Sequence, residues 1–163
     1  MTTTITVYRA DERAYRPGEI ITGNREDHIA TMQGGHLLAE QLVRAAHPNG
    51  ADLRAHYLYV FRDCEWARKY WVLRGPRHFY EAAVHPDDVL HIGDMNIFNQ
   101  IADAETDQQR DEFIRQYWAS AESRDNTKIE LIVRRATVLR VLHTPDDQVA
   151  ARRRLVGGGA KEG

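Results

Sequence analysis

The hydrophobic period of this chain switches between two and 3.6 residues repeatedly and never settles into a rhythm. A steady strand–helix alternation would call for a parallel sheet with crossover helices, and long helical stretches would call for a bundle. Neither is present. Residues 3–9 are rich in β-branched side chains and read as a first strand. Tyr15-Arg16-Pro17-Gly18-Glu19 is turn chemistry, and residues 22–35 form an irregular loop with room for a short helix. Residues 36–46 carry Leu38, Leu42 and Ala45 at helical spacing, and His47-Pro48-Asn49-Gly50 stops that helix. Residues 54–61 alternate as a strand, with Tyr57, Tyr59 and Phe61 on one face and His56, Leu58 and Val60 on the other.

Asp63 is placed to cap a helix reaching Trp71, which Gly75-Pro76 breaks. Residues 77–84 and 89–92 return as strands around Pro86-Asp87-Asp88, and Asp94 caps a brief helix through Ile101. Thr106 and Gln109 have capping-box spacing ahead of a helix striped by Phe113, Ile114, Tyr117, Trp118 and Ala121. Residues 123–126 read as a loop. Residues 128–133 and 137–142 are expected to pair as a hairpin across Arg134-Arg135-Ala136, and Pro145 opens a last helix. The pattern predicts an α+β fold with antiparallel or mixed sheets and flanking helices.

A length of 163 residues suits one domain, expected over 1–155, with 156–163 as a disordered glycine-rich tail. Such a chain can bury about 70% of its unfolded surface, so one core suffices. Cys64 is the single cysteine, which rules out an internal disulfide and a Cys-rich zinc site and fits a cytoplasmic location. Residues 1–8 lack a basic then apolar leader, and no run approaches 18 apolar residues, so no membrane partner is expected. A net charge of −2 gives no general pull toward nucleic acid.

The eight histidines show no HExxH or CxxC pairing, so no metal site is expected, and no phosphate-cradling glycine motif is present. Cys64 lies near a helix N-terminus, which lowers a thiol pKa, but it lacks an evident base and reads as structural. Arg152–Arg154 reads as a solvated helix end. The strand Ile129-Glu130-Leu131-Ile132-Val133 is different: a carboxylate among apolar neighbours is costly unless it is paired or used. Alone, Glu130 could simply point outward from a half-exposed strand.

Three features taken together resemble the ADP-ribosyltransferase fold. The first strand ends in Tyr8-Arg9, a middle strand bearing tyrosines runs into a helix ending Tyr70-Trp71, and a late strand carries Glu130. The resemblance spans roughly residues 5–142 and extends to small bacterial domains of that layout. It implies NAD as co-substrate and cleavage of the nicotinamide–ribose bond, with ADP-ribose passed to a protein, nucleic acid, small molecule or water. Loss of nicotinamide builds oxocarbenium character on the ribose, which a preorganised carboxylate stabilises. The resemblance gives that role to Glu130. Tyr8 belongs to its first motif, Arg9 and Arg54 would bind phosphate or ribose oxygens, and Tyr57 and Tyr70 would face the nicotinamide ring. Tyr57 stands where the family has a serine, and Lys128 stands where some members orient a protein acceptor. The rivals are a non-catalytic relative that binds a nucleotide or protein, and an unrelated α+β domain using the aromatic helix over 108–121 as an interface.

Overall fold

Three helix starts are built as side-chain chemistry predicts. In this computed structural model, which describes residues 3–23, 28–119 and 128–159, Asp63 Oδ1 accepts from the Trp66 amide at 2.7 Å. Asp94 Oδ1 accepts from Asn96 at 2.9 Å, and Thr106 Oγ1 accepts from Gln109 at 3.1 Å. Each satisfies an amide that the first helical turn leaves without a partner. The helices they open are α3 (Cys64–Val72), α4 (Met95–Asp103) and α5 (Asp107–Trp118). With α1 (Gly34–Ala45), α2 (Gly50–His56) and α6 (Pro145–Gly159) there are six α-helices among the described residues, plus two short 3-10 turns.

Among the described residues, seven strands make one antiparallel sheet: β1 (Ile5–Asp11), β2 (Ile20–Thr22), β3 (Leu58–Phe61), β4 (His78–Val84), β5 (Val89–Asp94), β6 (Ile129–Val133) and β7 (Arg135–His143). Their order is β2-β7-β4-β1-β3-β6-β5, and the architecture is a single α+β domain. Three strands therefore stand between β6 and β7, although only Arg134 joins them in the chain. The expected β6–β7 hairpin does not form. The sheet must instead curl until the end of β6 meets the start of β7, and the Arg134 amide is anchored there on the Asp88 carbonyl at 2.9 Å. Inside the curl, Val7, Ile21, Val60, Leu131 and Val138 pack in one apolar cluster.

Helices cover the other face. Trp71 of α3 packs with Ala10, Phe61 and Phe79 of the sheet, while α1, α4 and α5 share Val43, Phe98, Ile101 and Tyr117. Ile114 and Tyr117 of α5 are buried, so the aromatic helix serves the core. In α1 the buried side is not the expected stripe: Ala39, Glu40 and Val43 are buried and Leu42 is half-buried, whereas Leu38 is 44% exposed and Ala45 is exposed. A further correction concerns residues 54–57. Gly50–His56 is helix α2, so Arg54 is helical and Tyr57 is the residue that ends the helix before β3. The last helix, α6, continues to Gly159, beyond the boundary expected at 155, and residues 123–126 and 160–163 lie outside the described set. No helix among the described residues is long and apolar enough to cross a membrane.

Candidate functional site

Register decides which side chains meet. Phe61 is opposite Tyr8 on β1 and opposite Glu130 on β6, so one row runs Tyr8–Phe61–Glu130 across three neighbouring strands. Directly paired residues project to the same face, here the helix-covered one. Glu130 is only 7% exposed and does not point to solvent. Tyr8 stacks on Phe79 with ring centroids 6.4 Å apart, and Tyr70 tilts against Phe61 at 5.3 Å. Tyr70 thus closes one side of the row, with the Arg74 guanidinium 4.1 Å over its ring.

Arg54 comes to Glu130 from α2, its Nη1 lying 4.0 Å from Glu130 Oε1. Its other partners are stronger. Nε donates to Glu40 Oε2 at 2.6 Å, Nη1 donates to the Tyr117 hydroxyl, and the Tyr59 hydroxyl donates to the Arg54 carbonyl. Phe98 lies beneath the guanidinium, 4.9 Å from its ring centroid. Burial works against a charge here, yet Tyr117, Tyr59, Glu40 and Glu130 together hold Arg54 firmly protonated. Burial also drives the Tyr59 and Tyr117 hydroxyls well above their ordinary range, so both stay neutral donors and acceptors. At 3% exposure and with these partners, Arg54 does not reach a phosphate; its expected ligand role gives way to a structural one.

Arg9 lies on the opposite face of the sheet from Glu130, contrary to the expected shared site. It pairs with Tyr80 and shares the curled, inner face with Val7, whereas Glu130 shares the outer face with Tyr59 and Phe61. β1 and β3 pair at Tyr8↔Phe61 alone, and Arg9 bridges them beyond that point. Its Nη1 donates to the Tyr59 carbonyl at 2.8 Å and its Nε to Asp11 Oδ2 at 2.7 Å. Tyr57 lies just before β3, four residues along the chain from the Phe61 that faces Glu130. Of the expected set, Glu130, Tyr8, Arg54 and Tyr70 gather on the helix-covered side, and Arg9 does not join them.

Glu40, Tyr59, Phe61 and Tyr117 are the neighbours that sequence reasoning missed. One signal was available for Glu40: at positions 36, 39, 40 and 43 it occupies an i, i+3, i+4, i+7 stripe in place of an apolar residue. The Cys64 thiol is pushed up by burial and by Glu65 and Asp63, which outweighs the helix N-terminus and leaves it a poor nucleophile. Among the described residues, no three His, Cys, Asp or Glu side chains gather as metal ligands would. No family model matches the chain, and no curated protein matches it significantly.

Proposed function

We propose that this domain is ADP-ribosyltransferase-like and cleaves the nicotinamide–ribose bond of NAD, with Glu130 as the catalytic carboxylate. The observation that carries the reading is the row Tyr8–Phe61–Glu130, which brings the Tyr-Arg strand, the aromatic strand and the carboxylate strand side by side. Glu130 stabilises the positive charge that develops on the ribose as nicotinamide departs. Phe61 and Tyr70 supply flat apolar faces for the leaving ring. Arg9 acts from the other face by tying β1 to β3. The acceptor is a protein, nucleic acid, small molecule or water.

A second reading is favoured by one contact: the 4.0 Å approach of Arg54 makes Glu130 a counter-ion of a buried guanidinium. Nicotinamide release from NAD separates the two. Wild type should release it, and Glu130→Gln, which keeps the shape but loses the charge, should slow release by about 10²-fold or more with NAD affinity little changed. Wild type that releases nothing above buffer with any acceptor would remove the enzymatic reading and leave the counter-ion role.

A further inference from the structure

Arg54 is shared unequally between two buried carboxylates that come from distant parts of the chain. Glu40, fully buried in α1, holds Nε at 2.6 Å, while Glu130 stands 4.0 Å from Nη1. The first distance is a charge-assisted hydrogen bond, and the second lies outside hydrogen-bond range. Resting on the assignment of Glu130 above, we propose that Glu40 is a positioning residue, which grips Arg54 and so keeps its guanidinium from closing onto Glu130.

The grip is built into the helices. Arg44, one turn along α1, lies 3.3 Å from Glu40 Oε1, so Glu40 is drawn by two guanidinium groups and is held at its Arg54 contact. Tyr117 of α5 takes up Nη1, and Phe98 of α4 supports the guanidinium plane, so with Glu40 the Arg54 guanidinium is steered from three directions. Closing on Glu130 requires a movement of only about 1 Å, down to ordinary N–H···O distance. A closer guanidinium would neutralise more of the Glu130 charge than the 4.0 Å pair does, and less would remain for a cationic ribose. Glu40 therefore acts on the reaction without touching NAD. Among the described residues, Tyr59 of β3, which stays neutral, and His91 of β5, which touches the Tyr117 ring, also face this centre.

The test uses Glu40→Gln and Glu40→Asp in the whole chain. A crystal structure of Glu40→Gln should show Arg54 Nη1 and Glu130 Oε1 drawn together from 4.0 Å to hydrogen-bond distance. Carbon-13 NMR of labelled glutamate should show the Glu130 midpoint falling by about 1 pH unit, since a closer opposite charge favours the carboxylate. Glu40→Asp keeps the negative charge but withdraws it, so it should shift the midpoint the same way by less. It also decides the matter if Glu40→Gln does not fold. The plateau rate of nicotinamide release should fall about tenfold, with the KM for NAD little changed. An unmoved Arg54 and an unmoved Glu130 midpoint would overturn the proposal and make Glu40 a purely structural partner. Should wild type release no nicotinamide, the NAD reading fails, while the distance and the midpoint still decide whether Glu40 restrains Arg54.

Discussion

Gly93 has no side chain where the ring of Tyr117 lies against the sheet: a Cβ at this position would come within 3.0 Å of Tyr117 Cε2. Gly93 is also the β5 partner of Glu130, so this close approach sets how α5 sits over the candidate site. Tyr117 cannot easily give way, because its hydroxyl accepts from Arg54. Gly93→Ala should therefore cost about 1–3 kcal/mol, the usual range for overpacking a filled core. Gly75→Ala, with nothing within 4 Å, should stay within about 0.5 kcal/mol of wild type. Urea denaturation compares the two, and equal midpoints would show that Tyr117 is not confined by Gly93.

Local chemistry was legible in this sequence, and long-range pairing was not. Asp63, Asp94 and Thr106 cap helices where expected because a cap needs only a side chain and an amide two or three residues on. α2 was hidden because Arg54–Phe61 alternates like a strand, while the burial of Arg54 against Glu40, fourteen residues earlier, belongs to the tertiary structure. The β6–β7 hairpin failed for a similar reason. All five residues of β6 are buried, as a strand covered on both faces requires, and Ile129-Glu130-Leu131-Ile132-Val133 is nearly continuous in its apolar character. That pattern marks an interior strand, but it does not say which neighbours flank it. The apolar neighbours of Glu130 mark it in the sequence as a carboxylate that must be paired or used, whereas the strand-like alternation around its partner Arg54 hides a helix.

His91 should make stability depend on pH. Burial, reinforced by the nearby Arg54 charge, lowers its pKa from 6.5 to about 4. The folded state thus refuses a proton that the unfolded chain accepts. Stability is unaffected above pH 6.5, falls as pH drops from 6.5 toward 4, and levels off below, for a total of about 3 kcal/mol. His91→Phe keeps a ring against Tyr117 and Trp118, at 5.1 and 4.9 Å in wild type, but cannot titrate. Melting temperatures measured from pH 4 to 7 should show a shallower slope in the variant. His143, also lowered by burial, remains in both proteins and cancels in the comparison.

Gln148 fastens α6 to the end of α3. Its side-chain nitrogen donates to the carbonyls of Trp71 at 2.6 Å, Arg74 at 3.0 Å and Gly75 at 3.1 Å, and its oxygen accepts from the Arg77 amide at 3.1 Å. The side chain is 2% exposed, so water cannot readily replace these bonds. Gln148→Leu should cost about 2 kcal/mol or more, because buried backbone groups lose their partners. Hydrogen exchange at the Arg77 amide should quicken as well. An unchanged exchange rate there would mean that α6 is held by other contacts, such as Arg152 Nε on the Val72 carbonyl at 2.6 Å.

Asp11 organises the junction where β1 and β3 part. Its carboxylate accepts from Arg9 Nε at 2.7 Å and from Arg13 Nε and Nη2 at 3.0 Å each, and Arg13 in turn donates to the Thr22 carbonyl at 3.0 Å. Burial alone would raise the Asp11 pKa, but the bonds from Arg13 and the charge of Arg9 win and bring it down from 3.8 to about 2. For a lowered carboxylate the stabilisation is complete above pH 3.8 and is lost as pH falls through 2. The amount is about 2 kcal/mol. Asp11→Asn keeps the shape but leaves two guanidinium groups without the charge between them, so it should cost at least about that much at pH 7. The variant should also lose the wild-type decline in urea midpoint between pH 4 and pH 2. Because Arg9 reaches the Tyr59 carbonyl, exchange of the β3 amides should quicken in the same variant. If the acid decline persists in Asp11→Asn, another carboxylate carries it, and Arg9 is positioned by Tyr59 rather than by Asp11.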